Sequence, residues 1–66
     1  MMTREEIIKL IWEEYEQAKK DKARVWDKSM QPDADPKDEF FRHICMGRES
    51  ACEILLVLIG ELEADV

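Results

Sequence analysis

The two cysteines carry the most reactive side chains of this 66-residue chain, and their spacing limits what they can do together. Cys45 and Cys52 are seven residues apart, which on a helix places them on one face, about 10 Å apart along the axis. A disulfide needs Cα atoms within about 7 Å, so the two thiols cannot bond to each other within one helix. We expect both to be small buried hydrophobic side chains. The alternative is a thiol-based redox sensor, in which Cys45 or Cys52 meets its own copy across a dimer axis.

Metal binding by nitrogen and sulfur ligands is not indicated. His43 is the only histidine, and it lies on a different side of the helix from Cys45. Neither the Cys-x-x-Cys nor the His-x3-His spacing of a zinc site is present. The sequence therefore predicts no metal site.

The carboxylates invite comparison with one family of enzymes. Gly60-Glu61-Leu62 is similar to the end of the Glu-Glu-x-x-Glu helix that holds magnesium in all-α nucleotide pyrophosphohydrolases of the MazG type. In this chain Val57 and Leu58 stand where that helix has its first two glutamates. A two-helix chain also offers no deep cleft in which catalytic groups converge. We expect no catalytic residues, no cofactor and no enzymatic activity.

Start and stop signals divide the chain into two helices. Thr3 is a natural N-cap and Glu6 completes a capping box, while Asp35 before Pro36 starts a second helix. The pair Gln31-Pro32 ends the first helix, because proline disfavours the α conformation in the residue before it. We predict a helix over 3–29, a loop over 30–35 and a helix over 35–62, in a single domain spanning 1–66. The short loop makes the fold an all-α, antiparallel helical hairpin.

The first helix has one apolar face of ordinary width. Lys22 lies within this face and Arg48 lies on the apolar side of the second helix. We expect their stems to cover apolar surface. The alternative is a polar pair or an interface contact that fixes the register of the dimer. The aromatic residues of the face are predicted to be core, and a partly exposed tryptophan would instead suit a protein partner. The face consists of Ile8, Ile11, Trp12, Tyr15, Ala18, Lys22, Val25, Trp26 and Ser29.

The second helix is apolar over much more than the ~100° that one partner helix covers. A chain this short also needs help to be stable, and oligomerisation is the remaining source because disulfides and metals are not indicated. We therefore expect a homodimer that forms a four-helix bundle, with the second helices in the middle. The predicted dimer interface consists of Phe40, Ile44, Gly47, Ala51, Leu55, Leu58, Ile59 and Leu62.

The formal net charge of −6 disfavours direct binding to nucleic acids and to anionic membranes. No apolar segment follows a basic stretch at the N-terminus, so we expect a cytoplasmic protein.

In size, charge and simplicity, the chain is similar to small acidic bacteriophage proteins, including some anti-CRISPR and other anti-defence inhibitors. This similarity implies an inhibitor or accessory factor that binds a basic protein surface. The candidate partner surface consists of Glu13, Glu16, Asp21 and Asp27. The alternative is a purely structural dimerisation module.

Overall fold

The computed structural model describes residues 1–63 as two helices, α1 over Arg4–Ser29 and α2 over Pro36–Leu58. The helices run antiparallel. Arg4 at the start of α1 donates a hydrogen bond to the Ile59 carbonyl at the end of α2, and Lys28 at the other end pairs with Asp38. The prediction of an all-α helical hairpin is confirmed.

Both helix starts follow from the capping residues. The Thr3 hydroxyl accepts a hydrogen bond from the Glu6 backbone N–H, and the Glu6 carboxylate accepts one from the Thr3 backbone in return. The Asp35 carboxylate accepts from the Lys37 N–H, with Pro36 in the first turn. These bonds satisfy backbone donors that the first turn of a helix otherwise leaves unpaired.

The end of α2 differs from the prediction, because the helix ends at Leu58 rather than at Leu62. Gly60 adopts a positive φ of 83°, a conformation that glycine reaches without the steric cost of a Cβ. Its N–H donates to the Val57 carbonyl, and the Glu61 N–H donates to the Leu56 carbonyl at 2.8 Å. This pair of bonds is a Schellman motif, which stops the helix.

The core is a single seam between the two helices. Tyr15 of α1 packs with Cys52 and Leu56 of α2, and Ile11, Trp12, Ile59 and Leu62 cover this cluster. Farther along the seam, Ala18, Val25 and Cys45 are also buried. The molecule measures 45 × 32 × 13 Å. The shortest dimension is about one helix diameter, so the hairpin is a single layer of helices.

Ion pairs join the helices on both sides of the seam. Arg48 of α2 bonds to Glu14 and, at 3.0 Å, to Asp21 of α1. Lys22 of α1 pairs with Glu49 of α2. Of the two alternatives for Lys22 and Arg48, the structure has polar pairs, and their partners are acidic residues of the opposite helix. Within residues 1–63, neither helix is long and apolar enough to cross a membrane.

Candidate functional site

One face of α2 is apolar and has no partner among residues 1–63, the part of the chain that the structure describes. We call it the α2 stripe. Its members recur at intervals of three or four residues, apart from the adjacent pair Ile54 and Leu55, which places them along one side of the helix, and all of them are exposed. Phe40 and Leu58, at its two ends, are 67% and 76% exposed. The α2 stripe consists of Phe40, Ile44, Gly47, Ala51, Ile54, Leu55 and Leu58.

The α2 stripe is separate from the face that α2 presents to α1. Leu56 and Cys45 are completely buried against α1, whereas Leu55 and Ile44, their immediate neighbours in sequence, are exposed. Successive helical residues are turned by about 100°, so these neighbours point to different sides. The helix is thus apolar on two faces, and the hairpin covers only one of them.

Two residues of the predicted dimer interface pack against the core of the single hairpin. Ile59 and Leu62 are partly buried against Tyr15 and Leu56. Ile59 packs there as the C-cap of α2, and Leu62 packs there after the chain has turned at Gly60. The other six predicted residues all lie in the α2 stripe, and Ile54 joins them.

Gly47 and Ala51 form a small-residue step in the middle of the α2 stripe. Both are exposed. A Cβ atom built on Gly47 meets nothing within 4 Å. The glycine therefore makes no room for Trp12, Trp26 or any other side chain of its own hairpin.

The polar edge of the α2 stripe is formed by Arg48. By its helical position it lies between the stripe and the face that contacts α1. Its guanidinium is held by Glu14 and Asp21, and these hydrogen bonds raise the pKa of Arg48 above its ordinary value. The same bond from Arg48, with a second from Gln17, lowers the pKa of Asp21.

The four residues of the candidate acidic surface are not equivalent. The Asp21 side chain is 13% exposed and bonded to Arg48, so its charge is already paired inside the hairpin. Glu13 lies 3.9 Å from Lys9, while Glu16 and Asp27 are exposed. The helix α1 holds seven acidic and seven basic residues, so the acidic excess of the chain lies outside α1.

The thiols lie inside the hairpin, as expected. Cys45 is completely buried and Cys52 is 8% exposed. Burial raises the pKa of the Cys52 thiol. A raised pKa lowers the fraction of thiolate, which is the nucleophilic form.

The aromatic residues of α1 divide between core and surface. Tyr15 is buried, with the Trp12 ring edge-on to it at a centroid distance of 5.8 Å. The Trp12 indole N–H donates to Glu61 at 3.3 Å. Trp26 is more exposed, and the Arg42 guanidinium lies 5.5 Å from its ring centroid. Trp12 therefore helps to hold the segment after α2, and Trp26 is the tryptophan open to solvent.

The grooves and the possible metal ligands of the described residues do not indicate a second candidate site. One open groove follows the outside of α1 and is lined by residues of that helix alone, Trp12, Glu13, Glu16, Gln17 and Lys20. Within residues 1–63, no group of three or more histidine, cysteine, aspartate or glutamate side chains is placed to hold a metal ion. Comparison with known proteins found no matching family model, no matching characterised protein and no matching solved structure.

Proposed function

We propose that this chain is a non-enzymatic protein-interaction module that acts as a homodimer, in which the α2 stripes of two copies pack together. The observation that carries the proposal is the α2 stripe itself, an exposed helix face that is free of charged residues from Phe40 to Leu58. Contiguous exposed apolar surface marks interaction sites in soluble proteins. The alternating spacing of three and four residues is that of a helix–helix seam.

The exposed area supports a partner of the size of a second copy. The chain has an accessible surface of 5210 Å² for a mass of 7.8 kDa. A compact monomer of that mass is expected to expose about 4400 Å². The excess of roughly 800 Å² equals the area that each partner buries in an interface of standard size.

The flat shape of the hairpin supports the same conclusion. A single layer of two helices, 13 Å thick, has an interior only where the helices touch. A second hairpin laid on the α2 stripes makes four helices and gives α2 neighbours on two sides. Oligomerisation is one of the usual ways in which chains of this size become stable.

In this proposal, a further macromolecule binds to the charged surface outside the α2 stripe. The net charge of −6 favours a protein with a basic surface, such as the target of an inhibitor or accessory factor. A purely structural dimerisation module would form the same dimer without such a partner. Affinity purification from the source cells separates the two, because the first version requires a stoichiometric partner that high salt displaces.

The dimer is tested with an aspartate on the α2 stripe and a matched aspartate elsewhere. Ile44→Asp places a charge in the proposed dry interface, where an unpaired charge is costly, and should raise the dimer Kd at least tenfold. Leu10→Asp is the control, because Leu10 is a similarly exposed apolar residue of α1 outside the stripe. Circular dichroism on the same samples should show that both variants remain helical, so that a change in mass reports dissociation and not unfolding.

Sedimentation equilibrium at micromolar concentration gives the readout. The wild type and Leu10→Asp should sediment at twice the 7.8 kDa monomer mass, and Ile44→Asp should shift toward the monomer. A wild-type chain that sediments as a folded monomer at these concentrations contradicts the proposal.

A further inference from the structure

Gly47 has no explanation within the hairpin. Glycine inside a helix costs stability relative to alanine because it leaves the unfolded backbone freer. The cost is normally tolerated where another group approaches the backbone closely. Within the single hairpin nothing lies within 4 Å of a Cβ at this position. Among the described residues 1–63, Gly47 therefore has no packing role.

We infer that the second copy crosses α2 with the two backbones closest at Gly47 and Ala51. This inference rests on the proposed homodimer and specifies where its interface is tightest. Gly47 and Ala51 are one turn apart on the same side of the helix, so together they make a shallow step about 6 Å long. Small side chains at this spacing let two helix backbones approach closely.

The larger side chains are arranged to flank such a crossing. Phe40 and Ile44 precede the small step, and Ile54 and Leu58 follow it. Gly47 and Ala51 therefore lie in the middle of the α2 stripe, with apolar bulk at both ends. A crossing at the middle lets both copies use the same patch, as a two-fold dimer requires. It also lets the end residues pack around the partner helix instead of holding the backbones apart.

The crossing predicts opposite effects of one methyl group on the monomer and on the dimer. Gly47→Ala should raise helical content at concentrations below the dimer Kd, because alanine favours the helix and its Cβ meets nothing in the hairpin. The same methyl lies where the partner backbone should be, so the dimer Kd should rise about tenfold. A glycine without a packing role would give the first effect and not the second.

A larger side chain makes the test more severe. Gly47→Leu should raise the dimer Kd a hundredfold or more. Its matched control is Ala23→Leu, a small-to-large change at an exposed position of α1 away from the α2 stripe, which should change the Kd less than twofold. Kd is measured by sedimentation equilibrium across a concentration series, and helical content by circular dichroism on the same samples.

The outcomes separate this inference from the proposed function. If the wild type is a dimer that Ile44→Asp dissociates while Gly47→Leu keeps the wild-type Kd, the crossing point is wrong and the homodimer stands. If the wild type is a folded monomer, both fail together. If Gly47→Leu and Ile44→Asp dissociate the dimer and Ala23→Leu does not, the two backbones meet at the small step.

Discussion

Arg48 and Asp21 are joined across the helix–helix seam, with Nη1 of Arg48 3.0 Å from Oδ2 of Asp21. Arg48 also binds Glu14, almost two turns earlier on α1. A guanidinium has several donors in a fixed fork and can hold two carboxylates at once. One arginine of α2 thus spans two turns of α1, and this fixes the register between the helices beside the α2 stripe.

The Asp21–Arg48 bond predicts a pH dependence of stability. The bond lowers the pKa of Asp21 below its unfolded value of about 3.8. A carboxyl group with a lowered folded pKa stabilises the protein above its unfolded pKa, and this contribution is lost as pH falls through the folded value. The stability difference between wild type and Asp21→Asn should be constant from pH 7 to about pH 5 and shrink below about pH 4.

Urea unfolding at a series of pH values measures this difference, with both proteins at the same concentration because the apparent stability of a dimer depends on concentration. Gln17 also binds Asp21, so Gln17→Ala should reduce the pH dependence without removing it. A difference that stays the same from pH 7 to pH 3 would show that Asp21 gains nothing from Arg48 in the folded state.

Gly60 should respond to alanine in the direction opposite to Gly47. Its φ of 83° is left-handed, and an L-residue with a Cβ pays about 1–2 kcal/mol to adopt it. Gly60→Ala should therefore destabilise the hairpin by about that amount and loosen the Schellman motif. Thermal unfolding of both alanine variants at the lowest usable concentration compares them directly. Equal shifts of the same sign would contradict this assignment of the two glycines.

The helix starts could be predicted from the sequence because their signals are local. Thr3 with Glu6, and Asp35 with Pro36, act within one turn, and the structure has both caps where they were expected. The end of α2 was predicted at Leu62, beyond the observed end at Leu58. Leu62 continues the apolar periodicity, and it does pack on the core, but it does so after the chain has turned at Gly60. Periodicity alone does not distinguish these two ways of reaching the core.

The partners of the charged residues could not be predicted, because they depend on the register between the helices. On its own helix, Asp21 looks like a solvated acid beside Glu13 and Glu16. Only the position of Arg48 on the opposite helix shows that its charge is used internally. The excess apolar width of α2 was visible in the sequence, and the structure adds which side of it is left exposed.

The cysteines should be unreactive in the native protein. Cys45 is completely buried and Cys52 nearly so, and burial raises the Cys52 pKa. The reaction of the folded protein with a thiol reagent at pH 8 should therefore be at least a hundredfold slower than the reaction in denaturant. The reason is that the reagent has little access to the sulfur atoms and that the fraction of thiolate is low. Fast modification of one thiol in the folded protein would favour the redox-sensor alternative. Cys52→Ser should then abolish a fast reaction that belongs to Cys52 and leave one that belongs to Cys45.

Leu56 and Leu58 are two residues apart and should behave as members of different interfaces. Leu56 is completely buried against α1, whereas Leu58 is 76% exposed on the α2 stripe. Leu56→Ala leaves a cavity in the core cluster that Leu56 forms with Tyr15 and Cys52, and such changes cost about 2–5 kcal/mol. It should lower the unfolding midpoint both above and below the dimer Kd. Leu58→Ala removes a side chain that would make contacts only in the proposed dimer, so its unfolding midpoint should approach that of the wild type as the protein is diluted below the dimer Kd. Chemical denaturation at two concentrations, tenfold above and tenfold below that Kd, measures both effects. Concentration-independent destabilisation by Leu58→Ala would mean that Leu58 supports the single hairpin rather than the contact between copies.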